Sequence, residues 1–202
     1  MGKSTVLALF EKRGAVVIDS DETVKSLLQE RDVLERIKGL LGDEVFLEND
    51  GLNTKKVADV VFHNDALRRA LEDILHPLVF ERIDLFLGKI VDKNKVVLAE
   101  VPLLFERGYE SRFDKTITVS AEEKAALDRL EKRGISREEA LLRLKTQLPI
   151  EDKGRRADFV IDNNKSLEET KSQVEAIYQE LLREAEKDDN NTRARKLNQG
   201  IS

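Results

Sequence analysis

The chain contains no cysteine, which excludes disulfides, thiolate metal sites and a cysteine nucleophile. Its only histidines are His63 and His76, too few for a multi-histidine zinc site. No apolar run approaches the ~20 residues of a membrane span. From the start Met1-Gly2-Lys3 no secretory signal is expected. There is no excess of basic charge: the net charge is −5, which argues against a general nucleic-acid surface, although a local basic cleft can coexist with it. The expectation is a soluble, cytoplasmic protein that engages neither membrane nor nucleic acid. What is present is 202 residues, 40% hydrophobic and 37% charged, which suits one α/β domain with a smaller subdomain or lid and a heavily charged surface.

Met1-Gly2-Lys3-Ser4-Thr5 carries the closing end of the phosphate-binding pattern G-x-x-x-x-G-K-[ST]. Alone it is a weak signal. The order that follows is the one expected downstream of such a loop: a short amphipathic helix over 6–12, ended by Gly14, and then the apolar run Ala15-Val16-Val17-Ile18. Asp19-Ser20-Asp21-Glu22 stands at the carboxyl end of that strand, the edge where open α/β sheets bind ligands.

Helices are predicted from Thr23 to Gln29 and from Asp32 to Leu41, the second stopped by Gly42. Asn49-Asp50-Gly51 reads as a turn, with Asn53 or Thr54 and Asn64 as helix caps. Pro77 suits the first turn of a long helix ending near Val91. Further strands are predicted at Lys95–Glu100, Thr116–Val119 and Phe159–Ile161. Ser120-x-x-Glu123, Ser136-x-x-Glu139 and Ser166-x-x-Glu169 read as capping boxes, and Pro149 ends the second of these helices. From about Glu184 the chain is polar and reads as frayed helix or disordered tail. Strands alternating with helices argue for a parallel, doubly wound sheet.

Several strings now stand in one order: GKST, VIDSD at 17–21, DGLNTKKVADVVF at 50–62, LHPLV at 75–79, EVPLLFE at 100–106, KRGISREEA at 132–140, QLP at 147–149 and ADFVIDNN at 157–164. Together they resemble the dephospho-CoA kinase family over about Met1 to Leu182. GKST is shared by many NTPases, whereas the other strings in this order are far more specific. The resemblance implies an α/β fold, a P-loop NTPase-type parallel sheet flanked by helices. It also implies a helical CoA-side subdomain at about 22–92 and a lid at about 121–157, within a kinase-like domain spanning 1–183; 184–202 is the polar tail. The implied activity is transfer of the ATP γ-phosphoryl to the ribose 3′-hydroxyl of dephospho-CoA, with Mg²⁺, in the last step of coenzyme A synthesis. The partners implied are these small molecules, with the protein a monomer or weak homo-oligomer.

Carried over residue by residue, the resemblance puts Lys3 on the β/γ-phosphates, the Ser4 hydroxyl on Mg²⁺, Thr5 beside the α-phosphate, and Gly2 where backbone approaches phosphate. The competing reading of GKST is an ordinary helix start with an exposed lysine. Asp21, second of the Asp19/Asp21 pair, is placed to orient the 3′-hydroxyl and accept its proton; the alternative is that both aspartates only cap the next helix. His76 either contacts dephospho-CoA or is a satisfied structural histidine. Glu100 corresponds to the strand-end acid that helps hold Mg²⁺, where the family often has Asp. Pro102, Leu103 and Leu104 shape the acceptor pocket wall. Arg133 and then Arg129 are the lid's phosphate ligands, ahead of Arg137 and Arg143, against the reading of a solvated charged face. Asp162 and Asn163 follow the last strand, where the nucleotide base binds, or else form a simple Asx turn.

In the family, an apolar strand and a Gly-rich loop precede GKST, and that strand is central to the sheet. The expectation is therefore that the first strand is absent from this chain and that its activity is an open question. The alternatives are another P-loop nucleotide or nucleoside kinase, or a non-catalytic nucleotide- or CoA-binding remnant.

Overall fold

The computed structural model describes residues 2–92, 95–101, 103–132, 134–138, 140–141 and 147–199, with side chains to 187. The chain divides into two compact units, Met1–Ile18 with Asp92–Ser202, and Asp19–Val91.

The first unit holds the strands and the helices around them. Helix α1 (Lys3–Glu11) leads through Gly14 to β1 (Val16–Asp19), which pairs with β2 (Val97–Glu100). Strand β3 (Ile117–Ser120) pairs in parallel with β4 (Phe159–Asp162), in the register Ile117↔Phe159 to Ser120↔Asp162. Asp158 sets that register: its Oδ2 accepts hydrogen bonds from the backbone N and the Oγ1 of Thr116, each at 2.8 Å. A one-residue slip would break this clasp and turn Ile161, fully buried, to the wrong face. Helices α6 (Glu123–Glu131) and α7 (Ile150–Arg156) lie in the crossover, and α8 (Leu167–Gln199) follows β4.

The core of this unit is Val6 and Phe10 of α1, Ala15, Val96, Ile161, and Val174, Ile177 and Tyr178 of α8. Phe10 is 1% exposed and meets Tyr178 edge to face at 6.5 Å. Burying such a ring is worth roughly 1.5–3 kcal/mol. Packing against α8 therefore holds α1 in place, although α1 is only 9 residues long and lacks a side-chain cap.

The second unit is helical. It contains α2 (Ser20–Leu27), α3 (Arg31–Leu41), a 3₁₀ turn at Asp43–Val45, α4 (Thr54–Phe62) and α5 (Asp65–Leu87). Val33, Ile37 and Leu41 recur on one face of α3 and pack with Val45, Val57 and Leu75. Gly42, at φ 82°, ends α3 as expected. Asn53 and Asn64 accept backbone N–H groups at the starts of α4 and α5. The Asn-Asp-Gly turn closes an antiparallel bridge between Phe46 and Leu52.

Several local expectations need correction. Helix α2 starts at Ser20, not Thr23, because Asp19 caps it by accepting the N–H groups of Asp21 and Glu22. Leu75-His76-Pro77 begins no helix: α5 runs through it for 23 residues. Pro77 lies on the exposed side while Leu75, Val79, Phe80 and Ile83 are buried, so packing carries the helix past the proline. The Ser120 capping box does not form. Ser120 stays in β3, and Asn164 Oδ1 accepts the N–H of Glu122 instead. Pro149 begins α7, a helix not anticipated in the sequence. Glu139 of the middle box lies outside the described residues. The Ser166 box forms reciprocally, and α8 continues through the polar tail to Gln199.

Candidate active site

Gly2 precedes α1 with φ 91°, a conformation that glycine adopts without a steric cost. The first intrahelical bond is Val6 N to Gly2 O at 3.2 Å, so the N–H groups of Lys3, Ser4 and Thr5 lie ahead of the ladder at the positive end of the helix. Lys3, Ser4 and Thr5 are exposed. An anion placed there would meet both the N–H groups and the Lys3 ammonium.

Two strand ends meet this helix start. Glu100, the last residue of β2, lies with Oε1 3.4 Å from Lys3 Nζ; Lys3 is 54% exposed and Glu100 15%. Asn163, just after β4, borders Gly2 closely: a Cβ on Gly2 would stand 2.2 Å from Asn163 Nδ2 and 3.3 Å from Arg129 Nη1. Arg129 reaches from α6 and donates to the carbonyl of Asn163 at 3.1 Å. It therefore reaches the β4 end, whereas Arg137 pairs with Glu131 on the surface. Gly2, Lys3, Glu100, Arg129, Asp162 and Asn163 thus come together from four places in the sequence.

Arg133 and Pro102 lie outside the described residues, as does Arg143. Leu103 has φ 54°, a left-handed conformation that costs a branched residue roughly 1–2 kcal/mol. The turn after it is closed by Arg107 N to Leu103 O and Tyr109 N to Leu104 O. Leu104 lines a groove of about 140 Å³ between β2 and β3, together with Lys3, Phe10, Leu98, Glu100 and Ile117. Among the described residues no ladder joins β2 to β3 across it.

In the helical unit, the two aspartates differ. Asp19 is the cap of α2, and Asp21 sits exposed on its first turn, giving the cap its backbone N–H but not its carboxylate. His76 is half-buried within α5.

Among the described residues no group of three or more His, Asp or Glu could cage a metal. Mg²⁺ does not require one, because it keeps waters and substrate phosphate oxygens around one or two protein oxygens. The exposed Ser4 hydroxyl and the Glu100 carboxylate, both hard oxygen donors beside the anion end of α1, fit that demand.

Three contacts near the site were not anticipated. Thr170 and Gln173 of α8 hold Asn163 and Asp162. Their only sequence signal was their place one and two turns into a helix opened by a capping box. Glu106, the last residue of EVPLLFE, accepts hydrogen bonds from Lys153 Nζ at 2.8 Å and Leu148 N at 2.9 Å. Arg156 of α7 pairs with Glu110 and stacks over Phe105 at 5.3 Å, so the turn after β2 clamps α7.

The model of the dephospho-CoA kinase family matches residues 1–169. The chain is 37% identical over 184 residues to a dephospho-CoA kinase of Aquifex aeolicus, covering 91% of this chain and 93% of the relative. It is 35% identical to that of Bacillus cereus, covering 87% and 90%. The chain belongs to the dephospho-CoA kinase family. Among solved structures, it resembles a Thermus thermophilus protein with TM-score 0.76 and 34% identity, covering 89% of this chain and 92% of that one. The dephospho-CoA kinase of Campylobacter jejuni gives TM-score 0.63 and 26% identity, covering 90% and 92%. The family is one of transferases acting in coenzyme A synthesis, and the P-loop α/β fold expected from the strings is the one found.

Proposed function

We propose that the chain transfers the γ-phosphoryl group of ATP to the ribose 3′-hydroxyl of dephospho-CoA, giving CoA and ADP. The observation that carries this reading is the meeting of Gly2, Lys3, Glu100, Arg129 and Asn163 at the positive end of α1 in a chain of this family. A new bond forms between the 3′-oxygen and Pγ, and the bond from Pγ to the β,γ-bridging oxygen breaks. Asp21 orients the hydroxyl and takes its proton. Lys3 leaves Glu100 to lie against the β/γ-phosphates, where its charge offsets that of the transferring group. Gly2 and Thr5 admit the phosphates to the backbone N–H groups, and Arg129 and Arg133 close on their oxygens. Asp162 and Asn163 border the base. His76, Pro102, Leu103 and Leu104 contact the acceptor. Ser4 and Glu100 would hold Mg²⁺, which would offset the charge on the phosphates. The enzyme works in the cytoplasm, as a monomer or weak homo-oligomer.

A coupled ADP-release assay over a panel of nucleoside, nucleotide and dephospho-CoA acceptors tests the proposal. The expected result is turnover with dephospho-CoA alone; turnover with a different acceptor points to another P-loop kinase.

The groove between β2 and β3 favours one further reading, binding of nucleotide or CoA without transfer. The family resemblance seats an apolar strand in that slot, and the backbone that cradles phosphates continues from it. Calorimetry showing dephospho-CoA binding without ATP binding supports this reading. Assaying the chain beside one extended by an apolar strand and a G-x-x-x-x-G loop measures what filling the groove contributes.

A further inference from the structure

We infer that Gln173 and Thr170, both on α8, are positioning residues that hold the Asp162-Asn163 turn against the nucleotide, and so set the enzyme's choice of nucleotide base. The inference rests on the proposed placing of the base beside that turn. Gln173 treats Asp162 as a neighbouring strand would. Its Oε1 accepts the Asp162 N–H at 2.9 Å and its Nε2 donates to the Asp162 carbonyl at 2.9 Å. The second hydrogen on Nε2 reaches the Glu169 carbonyl at 3.3 Å, so the amide faces two acceptors and one donor and has a single sensible orientation. Asp162 is the last residue of β4, and no described strand lies beyond β4 in its sheet. The glutamine therefore satisfies peptide groups that a sheet edge would leave to water.

Thr170 acts one residue further on. It is fully buried, and its Oγ1 lies 3.1 Å from Asn163 Oδ1 and 3.3 Å from the Ser166 carbonyl. Asn163 is itself 9% exposed, with its N–H on the Ser120 carbonyl at 2.9 Å and its own carbonyl on Arg129. The turn is thereby fixed from three sides: β3 through Ser120, α6 through Arg129, and α8 through Thr170 and Gln173. The same turn touches Gly2 at the phosphate end of α1. A shift of the turn moves the base-reading backbone relative to the phosphate-binding helix start, and purine bases differ in just the donors and acceptors that such backbone reads.

The test compares Gln173→Leu, Thr170→Val and Thr170→Ser with wild type. It measures KM for ATP and for dephospho-CoA, the ratio of kcat/KM with ATP to that with GTP, and melting temperature. Loss of the two Asp162 bonds in Q173L is expected to raise KM for ATP about tenfold and to shrink the ATP:GTP ratio by a similar factor. KM for dephospho-CoA should stay within twofold of wild type. T170V should move in the same direction, and T170S, which keeps the hydroxyl, should return to wild-type values. Displacement of a fluorescent ATP analogue by ATP and by GTP repeats the comparison without turnover. It therefore reads the turn even if the acceptor proves not to be dephospho-CoA. Equal changes in both KM values, or an unchanged ATP:GTP ratio in both Q173L and T170V, would overturn the inference.

Discussion

Gly2 and Asn163 are packed so closely that a methyl group on Gly2 would stand 2.2 Å from the Asn163 amide nitrogen. Asn163 cannot move aside cheaply, since it is nearly buried, its side-chain Oδ1 accepts from Thr170, and its backbone is bonded to Ser120 and Arg129. Gly2 also holds φ 91°, which costs a residue with a Cβ roughly 1–2 kcal/mol. Gly2→Ala is therefore expected to lower the melting temperature by roughly 3–6 °C and to raise KM for ATP more than KM for the acceptor. Thermal unfolding with steady-state kinetics checks both. A variant with normal kinetics would mean that this turn does not border the nucleotide.

Lys3 is half exposed, so its pair with Glu100 contributes at most about 1 kcal/mol to stability. On the proposed function, its worth lies in charge aimed at the phosphates. Lys3→Met should leave the melting temperature within about 2 °C of wild type while lowering kcat by roughly 100–1,000-fold. Chemical denaturation and single-turnover kinetics separate the two effects. A modest kcat loss accompanied by a large stability loss would instead make the lysine a structural partner of Glu100.

The two aspartates after β1 should part company on substitution. Asp19 caps α2 through two backbone N–H groups, so Asp19→Ala is expected to cost about 1 kcal/mol and Asp19→Asn little. The Asp21 carboxylate does none of that capping; only its backbone N–H takes part. Asp21→Asn should leave stability unchanged and lower kcat by at least about 100-fold, the contribution of a positioned base. Measured stabilities with the reversed ranking, Asp21 above Asp19, would contradict the capping geometry.

Much of this was legible because it is local. Gly42, Asn53, Asn64 and the Ser166 box mark helix ends through bonds made within a few residues, and the structure shows all of them. The Ser120 box failed for a tertiary reason: pairing with Asp162 keeps Ser120 in β3, and Asn164, distant in sequence, supplies the cap. Pro77 misled in the same way, since core packing on both sides of it outweighs one missing N–H. At the site, Gly2, Lys3, Glu100 and Asn163 could be named from the family strings, and Arg129 from its four-residue spacing to Arg133 in the expected lid. Thr170, Gln173, Glu106 and Lys153 could not, because each acts on a residue an element away and resembles its solvated neighbours in sequence. The sequence also left open whether Arg129 or Arg137 belonged to the charged surface. The Asn163 carbonyl separates them.

The Glu106–Lys153 pair makes a prediction whose sign follows from burial. Glu106 and Lys153 are only 12% and 14% exposed. Burial by itself pushes the Glu106 carboxyl up, but the Lys153 ammonium, its own N–H and the Leu148 N–H outweigh it and hold the group below the usual carboxylate range. A group with a depressed folded pKa contributes stability that is present above its unfolded value, about 4.3. That contribution is lost as the pH falls through the lower folded value. Lys153→Met removes the main counter-charge, and burial then dominates. At neutral pH the variant keeps an unpaired buried carboxylate and should lose about 3 kcal/mol. As the pH falls to 4 the unpaired carboxyl of the variant takes a proton, while the wild-type carboxylate stays largely charged beside Lys153; the variant's penalty shrinks and the gap between the two should narrow. Denaturant unfolding of wild type and K153M at pH 4 and pH 7 measures that gap. If the two proteins differ by the same amount at both values, Lys153 supports α7 by packing alone, and the charge on Glu106 has no part in holding the turn after β2 to that helix.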